Sequence, residues 1–371
     1  MKVVIIFPKD SEAIFNINSN RTFGGATTQL YMLAKEMVKN KDLEVISFIP
    51  NYREICFLDE DSFNLVKTYN ENDNIIKKIF RFHHIIKKIS PDVIIQRGLT
   101  LQSCLLALYC NFFKIKFVFM LGHDFDSYGI YQTSGKRCYL FPMLLRNSYR
   151  LITQNEYEYN KIAQSHNYAK SKSRILKKGL DTSYIKSGLE KVYDCMWVAK
   201  CEGWKRPELF LKLANDNRDL KFLMICTIAR TSEKLFDEIK SEAEKIENLE
   251  FLDFVEYEKI FEYFAQSKVF CTTSELEGDW PMTVLESAAS GLPILSLYLN
   301  YEGLFDKTDG GFYCNGNIEL MSEYLKILIK DKEIYEKKSL GAREFVKNNH
   351  SIEKNTELLI KYINKSNEIM V

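Results

Sequence analysis

Residues 269–297 read VFCTTSELEGDWPMTVLESAASGLPILSL. The apolar residues 269–271 predict a buried strand, and a polar loop with a glycine and a proline follows them. Residues 282–290 then have a helical pattern, and 293–297 predict a second buried strand. A strand, a helix and a strand in this order indicate a βαβ unit with parallel strands.

The same alternation continues on both sides of this stretch. Upstream of it, the pattern predicts strands at 195–199, 221–226 and 249–252 and helices at 206–216, 232–245 and 256–266. Nearer the N-terminus it predicts strands at 2–7, 44–49, 93–95, 117–120 and 151–153 and helices at 75–89, 100–112 and 137–147. Long helices are predicted at 317–330, 332–348 and 351–364. The chain is therefore predicted to be an α/β protein with two doubly wound domains in tandem.

A polar, glycine-containing stretch at 171–192 interrupts the alternation and marks the domain boundary. We expect an N-terminal domain over 1–180, a linker over 181–192, a C-terminal domain over 193–349 and a final helical segment over 350–371. The total of 371 residues suits two domains of ordinary size.

Composition excludes several classes of protein. Hydrophobic residues make up 46% and charged residues 27% of the chain, which is ordinary for a globular protein. The net charge of +1 does not indicate any particular class of binding partner, and nucleic acid is not expected as one. The total conceals a difference between the two halves of the chain. Residues 1–185 carry 26 basic and 17 acidic side chains, whereas the remainder carries 25 basic and 33 acidic ones.

A cytoplasmic protein is expected from two features. The apolar run at 3–7 is too short for a signal-peptide core, and the apolar stretch at 99–121 is broken by polar and charged residues. The nine cysteines include no Cys-x-x-Cys pair, which favours reduced, mostly buried thiols.

Two turns carry residues that suit a ligand, in places where parallel α/β sheets bind ligands. Gly24 and Gly25 follow the first predicted strand at a helix start, where the backbone can approach a ligand and N–H groups favour an anion. An ordinary turn would have the same pattern. Lys200 and Lys205 lie in the turn after the strand at 195–199, where they suit a pyrophosphate, with a solvated basic turn as the alternative.

Glu286 is the most specific of the candidate residues. It lies in a predicted helix between Val284-Leu285 and Ala288-Ala289. A carboxylate in such surroundings is costly unless it has a partner. The ribose hydroxyls of a nucleotide would be such a partner, and an ion pair to a neighbouring helix is the alternative.

These segments together resemble the retaining family-4 glycosyltransferases of the GT-B fold, over essentially the whole chain. The resemblance implies two Rossmann-like domains facing a cleft, with the C-terminal helix crossing back to the N-terminal domain. It implies a nucleotide-diphosphate sugar, most simply UDP- or GDP-linked, as co-substrate, with no metal ion and no other cofactor. The residues it places in catalysis are His123, Lys200, Lys205 and Glu277. The residues it places around the donor are Gly24, Gly25, Lys200, Lys205, Gly278, Trp280, Met282, Thr283, Val284 and Glu286.

One spacing departs from the family pattern. The family motif is Glu-x7-Glu, whereas eight residues separate Glu277 from Glu286. We interpret this as a one-residue insertion near Asp279, with Glu277 as the first acid of the motif and Glu275 as the alternative.

His123 follows the predicted strand at 117–120 and matches the family's histidine beside the donor sugar, with a structural histidine as the alternative. The adjacent Asp124-Phe125-Asp126 has the Asp-x-Asp pattern of metal-dependent glycosyltransferases with a single domain. Strands and helices alternate in two successive domains, which favours GT-B over the fold with a single domain. No metal site is therefore predicted at this segment.

The implied function is transfer of a sugar, with retention, to a hydroxyl of a glycan or lipid-linked acceptor in cell-surface polysaccharide or glycoconjugate synthesis. One alternative is a catalytically idle GT-B partner subunit, which the irregular glutamate spacing favours. Another is a GT-B sugar epimerase. A glycogen-type phosphorylase would be much longer, and a two-lobed binding protein would normally be secreted.

A basic amphipathic pattern at 77–89 raises the question of a membrane. Ile79, Phe82, Ile86 and Ile89 share one face of the predicted helix, and five basic residues surround it. Such helices lie on anionic membranes, and a normal packed helix with solvated lysines is the alternative. The protein is therefore expected in the cytoplasm, with peripheral association at the inner face of the cell membrane as a further hypothesis.

Overall fold

The structure is a computed structural model. It describes residues 1–16, 19, 24–52, 55, 62–70, 73–122, 124–127, 139–186, 188–229, 232–277 and 279–365. The chain divides into two compact units: unit 1 comprises Met1–Gly179 and Ile352–Val371, and unit 2 comprises Leu180–Ser351. The segment expected as a linker lies within unit 2, where the backbone amide of Val192 donates to the carbonyl of Gln266 at 2.7 Å.

Unit 1 contains a parallel sheet of seven strands in the order β3-β2-β1-β4-β5-β6-β7. Its strands are β1 (Lys2–Ile6), β2 (Glu44–Ile49), β3 (Asn64–Lys67), β4 (Val93–Arg97), β5 (Lys116–Met120), β6 (Arg150–Thr153) and β7 (Ser173–Ile175). Its helices before the boundary are α1 (Glu12–Phe15), α2 (Gly25–Val38), α3 (Ile75–Ile89), α4 (Leu101–Phe112), α5 (Asp124–Ser127), α6 (Leu140–Asn147) and α7 (Glu156–Ser165). The central strands are buried on both faces, which is why they appear in the sequence as continuous apolar runs.

Unit 2 contains a second parallel sheet, of six strands in the order β10-β9-β8-β11-β12-β13. Its strands are β8 (Tyr193–Cys201), β9 (Phe222–Ile228), β10 (Leu249–Leu252), β11 (Ser267–Thr272), β12 (Ile294–Ser296) and β13 (Gly311–Tyr313). Its helices are α8 (Pro207–Asp216), α9 (Glu233–Ala243), α10 (Ile260–Gln266), α11 (Met282–Ala289), α12 (Ile318–Lys330) and α13 (Lys332–Asn349).

The last helix, α14 (Ile352–Asn364), belongs to unit 1. Its buried side chains include Leu359 and Ile363, which join a core cluster with Leu33 and Met37 of α2 and Val3 of β1. Unit 1 is thus built from two separate parts of the chain.

Helix α3 differs in one respect from the sequence interpretation. Phe82 and Ile86 are buried in the core of unit 1, so the expected apolar face is mainly the packed side of the helix. The exposed apolar side chains are Ile76, Ile79 and Phe80. In the described part of the chain, no helix is both long and apolar enough to cross a membrane.

Seven cysteines lie among the described residues, and all seven are buried and free. Two of them, Cys195 and Cys271, lie on the neighbouring strands β8 and β11 with their sulfur atoms 2.8 Å apart. The remaining two, Cys56 and Cys138, lie outside the described residues.

Candidate active site

The sheet of unit 2 reverses its strand order between β8 and β11. Strands β9 and β10 lie on one side of β8, whereas β12 and β13 lie beyond β11. At such a reversal the loops after the two central strands diverge and leave a crevice, which is where open parallel sheets bind ligands. The loops that carry most of the candidate residues, after β8 and after β11, are the two loops at this point.

Hydrogen bonds join these two loops. The indole N–H of Trp197 in β8 donates to the Thr273 hydroxyl at 3.0 Å, and that hydroxyl donates to the Lys205 carbonyl at 2.7 Å. The backbone amide of Glu275 donates to the Trp204 carbonyl at 2.9 Å. The backbone around Lys205 is therefore held in place by β8 and by the loop after β11.

The joined loops place two ion pairs side by side. Lys205 pairs with Glu277, and each side chain is 14% exposed. Arg206 pairs with Glu275, and these two side chains are 32% and 42% exposed. Of the two rival glutamates, Glu277 is therefore the more shielded and the one that contacts the candidate pyrophosphate lysine.

Glu202 adds a second carboxylate to this cluster. Burial raises its pKa, while the positive charges of Lys205 and Lys200 oppose that rise. The negative charge of Glu277 reinforces it. Two lysines and two glutamates thus lie close enough to influence one another at the carboxyl end of β8.

The chain turns sharply between this cluster and α8. Arg206 adopts a left-handed conformation with φ of 49°, and Pro207 begins the helix. A non-glycine residue in this region is uncommon and is often found at functional loops. Proline suits the first helical position because it has a fixed φ and needs no N–H partner there.

Helix α11 begins beside the loop after β11. Pro281 precedes it in an extended conformation, and no side chain caps the helix start. Met282 and Thr283, its first two residues, are half-buried. Val284 is buried, and its amide donates to the Pro281 carbonyl at 3.2 Å, so this amide is already used by the helix.

Glu286 lies on α11 and is 2% exposed. Its partner is a hydroxyl, not a basic side chain: Tyr257 donates to Glu286 Oε1 at 2.8 Å. Burial raises the pKa of Glu286 to about 7, and the Tyr257 hydrogen bond moderates the rise. Among the described residues, none donates to the second oxygen, Oε2. Glu286 is therefore a buried carboxylate, as expected, and only one of its two oxygens accepts a hydrogen bond from a described residue.

Aromatic side chains fix Tyr257 in place. Its ring packs edge-on against Phe261 of α10 at 5.7 Å and lies 6.3 Å from the ring of Tyr184. Burial and the charge of Glu286 raise the pKa of Tyr257 well above its usual range, so it remains a hydrogen-bond donor. Sequence reasoning missed Tyr257 because 29 residues separate it from Glu286.

Trp280 has a packing role. Its indole stacks on Phe345 of α13 at 4.6 Å and also contacts Tyr301 at 4.7 Å and His350 at 5.5 Å. The indole therefore holds the loop after β11 against α13, and a role of Trp280 beside the donor stays a prediction.

In unit 1, the start of α2 already carries an anion. The Gly24 amide donates to the Asp10 carboxylate at 3.2 Å, and the Thr27 hydroxyl lies 2.9 Å from both Asp10 oxygens. The anion at this helix start is therefore the Asp10 carboxylate of the same unit. The role of Gly24 and Gly25 beside a donor stays a prediction.

The Asp-x-Asp segment has a structural role at its second position. Asp126 Oδ2 accepts from the Gly122 amide at 2.7 Å and from the Leu99 amide at 3.3 Å, so it joins the loops after β4 and β5. Within the described residues, no group of three His, Cys, Asp or Glu side chains could hold a metal ion. His123 and Gly278 lie outside the described residues.

Comparisons with known proteins agree with this geometry. Residues 186–345, which lie in unit 2 and contain the whole cluster, match the family model of glycosyl transferases group 1. No curated protein sequence matches the chain. The matched segment includes both Lys205 and Glu286.

Solved structures extend the likeness to the whole chain. Anabaena HepE in complex with UDP and glucose has a TM-score of 0.76 at 12% identity, and the match covers 97% of this chain and 98% of HepE. Sucrose-phosphate synthase from Thermosynechococcus elongatus has a TM-score of 0.73 at 11% identity, with the same coverage. UDP-GlcNAc 2-epimerase from Neisseria meningitidis, bound to UDP-GlcNAc, has a TM-score of 0.63 at 14% identity and covers 99% of this chain and 100% of its own.

The fold is therefore GT-B, with two parallel α/β units, as the sequence analysis expected. The family-model match to glycosyl transferases group 1 lies within unit 2 of this fold, at residues 186–345.

Proposed function

We propose that the protein transfers a sugar, with retention, from a UDP- or GDP-linked sugar to a hydroxyl of a glycan or lipid-linked acceptor. The observation that carries this proposal is the combination of a shielded lysine, an uncapped helix start and a buried, half-satisfied glutamate at the strand-order reversal of unit 2. Neighbouring structures of the same fold contain UDP or a UDP-sugar, which supports a nucleotide sugar as the donor.

Each feature has a role in donor binding. Glu286 Oε2 accepts from a ribose hydroxyl, while Tyr257 holds the carboxylate from the other side. Lys205 and Lys200 neutralise the diphosphate, which competes with Glu277 for Lys205. The start of α11 adds the favourable end of the helix dipole. Glu277 and the backbone of the loop after β11 then lie on the side of the transferred sugar.

The chemistry requires little beyond this positioning. The bond between the sugar C1 and the phosphate oxygen breaks, and a bond between C1 and the acceptor oxygen forms on the same face. The acceptor proton passes to the leaving phosphate oxygen, so no dedicated base is needed. The two lysines and the helix start stabilise the charge that develops on the leaving diphosphate, which is the main contribution of such sites to the rate. The role of His123 beside the donor sugar stays a prediction from the family resemblance.

The same arrangement explains why the proposal needs no metal ion or cofactor. Divalent metals in glycosyl transfer would neutralise the leaving diphosphate, and in the proposed mechanism Lys200, Lys205 and α11 perform that task. Activity is therefore expected to persist in excess EDTA. Complete loss that manganese or magnesium restores would contradict this part of the proposal.

A panel of UDP-, GDP-, ADP- and CMP-sugars tests the donor directly. A donor present at 100 times its dissociation constant stabilises the fold by about 2.7 kcal/mol, which shifts the unfolding temperature measurably. We expect the shift with a UDP- or GDP-sugar, and a smaller one for Glu286→Gln. No shift with any sugar nucleotide would favour the idle partner subunit.

The fate of the donor separates a transferase from an epimerase. Incubation of the protein with the stabilising donor alone is expected to release free nucleoside diphosphate slowly, by transfer to water. An epimerase would instead convert the sugar to its epimer, which anion-exchange chromatography and NMR of the recovered nucleotide sugar would detect.

A further inference from the structure

The segment of unit 1 that contains α3 and α4 has few acidic residues, and Asp73, just before α3, pairs with Arg81 at 3.2 Å. Between Asp73 and Asp124 the sequence contains one acidic residue, Asp92, whose carboxylate accepts from the backbone amide of Lys2 at 2.7 Å. The same interval contains eight basic residues: Lys77, Lys78, Arg81, Lys87, Lys88, Arg97, Lys114 and Lys116. Neither α3 nor α4 contains any aspartate or glutamate.

Helix α4 exposes apolar side chains along its outer side. Leu101, Leu108 and Phe112 are 46%, 38% and 77% exposed, and their spacing of seven and four residues places them on one stripe. The opposite side of α4, including Cys104 and Cys110, is buried in the core. A helix that is apolar on all sides normally has protein or lipid on all sides.

Helix α3 extends this apolar surface. Ile76, Ile79 and Phe80 are 61%, 46% and 69% exposed. The ring of His83, on the same helix, lies 5.8 Å from the ring of Phe113, which is 47% exposed.

Phe113 in turn contacts Phe112, with ring centroids 4.9 Å apart. We call this surface the α3–α4 face, formed by Ile76, Ile79, Phe80, Leu101, Leu108, Phe112 and Phe113 with the lysines of α3 and Lys114. Exposed phenylalanines beside unopposed lysines are the composition of surfaces that lie at a membrane interface.

We propose that the α3–α4 face of unit 1 docks on an anionic lipid bilayer, with the aromatic and aliphatic side chains in the headgroup layer and the lysines on lipid phosphates. Charge decides between a bilayer and a second copy of the chain. A twofold contact would place the lysines of one α3–α4 face against those of the other, which like charges oppose. The inference goes beyond donor chemistry, because it concerns only unit 1 and does not require Lys205 or Glu286.

Sedimentation with sucrose-loaded vesicles tests the proposal. Wild-type protein is expected to sediment with vesicles of equal parts phosphatidylglycerol and phosphatidylcholine, and not with phosphatidylcholine alone. Added salt should release it, because the attraction is screened. Absence of sedimentation with the anionic vesicles at low salt would overturn the proposal.

Two pairs of matched variants locate the surface. Lys87→Glu with Lys88→Glu, in the last turn of α3, is expected to weaken vesicle affinity by about 25-fold or more, since each lysine near an anionic surface contributes a factor of about five. The control, Lys330→Glu with Lys332→Glu in unit 2, changes the net charge equally. Both pairs are exposed, so thermal unfolding is expected to change little.

The apolar part is tested separately. Phe80→Ser with Phe112→Ser is expected to abolish sedimentation, whereas Leu340→Ser with Leu358→Ser, at residues 59% and 56% exposed elsewhere, is not. Equal loss in a test pair and its control would overturn the assignment to this face. A wild-type dimer in gel filtration that Phe80→Ser with Phe112→Ser dissociates, without vesicle binding, would replace the lipid by a second copy of the chain.

Discussion

At the scale of single residues, the ion pair between Lys205 and Glu277 is the centre of the candidate site. Its two side chains are equally shielded, whereas those of the neighbouring pair, Arg206 and Glu275, are more than twice as exposed. A partly buried charge acts strongly on a bound anion because little water screens it, and an exposed one acts weakly. The two adjacent cations therefore provide an internal comparison.

Lys205→Ala is expected to lower turnover by roughly 100- to 1,000-fold, the usual effect of removing one preorganised group that stabilises developing charge. Arg206→Ala, the adjacent control, is expected to change turnover by only a few-fold. Steady-state kinetics with the stabilising donor, together with a thermal melt of each variant, would measure both. Similar losses in the two variants would show that the reaction needs the overall positive charge of the loop and not Lys205 itself.

Glu286 is expected to make the stability of the fold and the affinity for the proposed donor depend on pH in opposite directions. Burial raises its pKa from about 4.5 in the unfolded chain to about 7 in the fold. Between these values the folded protein holds a proton that the unfolded chain has lost, so stability falls as the pH rises through this window, by about 3 kcal/mol in total. A ribose hydroxyl prefers the ionised carboxylate, so donor affinity should rise over the upper part of the same window.

Calorimetric titration of wild type and Glu286→Gln at pH 6, 7 and 8 would measure this difference. Wild type is expected to bind donor more tightly at pH 8 than at pH 6 and to release protons on binding. Glu286→Gln is expected to bind weakly with a flat profile, and to lose less stability than wild type between pH 5 and pH 8. Parallel pH profiles in the two proteins would remove Glu286 from the donor site.

Sequence reasoning identified Glu286 and missed Tyr257 for a physical reason. The carboxylate is conspicuous because its own neighbours in the helix are apolar. Its partner comes from the turn before α10, and that turn has no unusual local composition. Asp10 at the start of α2 was missed for the same reason, since only the folded loops bring it to Gly24. The sequence can show that a buried polar group needs a hydrogen-bond partner. Which residue becomes that partner depends on how distant segments come together in the fold.

At the scale of elements, the central strands could be predicted and the edge strands could not. β1, β4, β8 and β11 are buried on both faces and appear in the sequence as apolar runs. β3 at one edge of its sheet is half-exposed, and β13 at the edge of the other has three residues, so neither has a distinctive pattern. The conformation of an edge strand depends on the strand it pairs with. The hydrophobic pattern of its own residues does not contain that information.

Helix α13 illustrates how packing can reverse an intrinsic preference. Gly341 lies in its middle, where alanine would normally stabilise the helix by about 1 kcal/mol. Here a Cβ atom would overlap the backbone carbonyl of Thr308. Gly341 is therefore required for α13 to approach the loop before β13 closely.

Gly341→Ala is expected to destabilise unit 2 by about 1 to 2 kcal/mol, because overpacking outweighs the gain in helix propensity. Leu340→Ala on the same helix, at a side chain 59% exposed, is the control and is expected to change stability by less than about 0.5 kcal/mol. Urea unfolding would compare them. A more stable Gly341→Ala would mean that α13 and the Thr308 loop can separate at little cost.

At the scale of the whole molecule, the chemistry and the surface charge are divided between the units. The residues that suit a nucleotide sugar lie in unit 2, and the basic, apolar α3–α4 face lies in unit 1. The charge asymmetry of the sequence already indicated such a division. The sequence could not separate the core side of α3 from its exposed side, because both sides of that helix carry isoleucine and phenylalanine.

The two units also differ in how the chain completes them. Unit 2 is one continuous segment, whereas unit 1 needs α14 from the end of the chain. Leu359 of α14 is 1% exposed in the unit 1 core, and the adjacent Leu358 is 56% exposed. Removal of a buried leucine side chain costs the transfer free energy and leaves a cavity, whereas an exposed leucine contributes little.

Leu359→Ala is therefore expected to cost about 2 to 5 kcal/mol and Leu358→Ala less than about 0.5 kcal/mol. Intrinsic fluorescence during urea unfolding would measure the whole chain, and hydrogen exchange read by mass spectrometry would assign the loss. Because Leu359 closes a core that includes β1 and α2, the added exchange should appear there and leave α11 protected. Equal effects of the two alanines would mean that α14 lies on unit 1 without completing its core. Increased exchange in α11 would mean that the two units unfold as one.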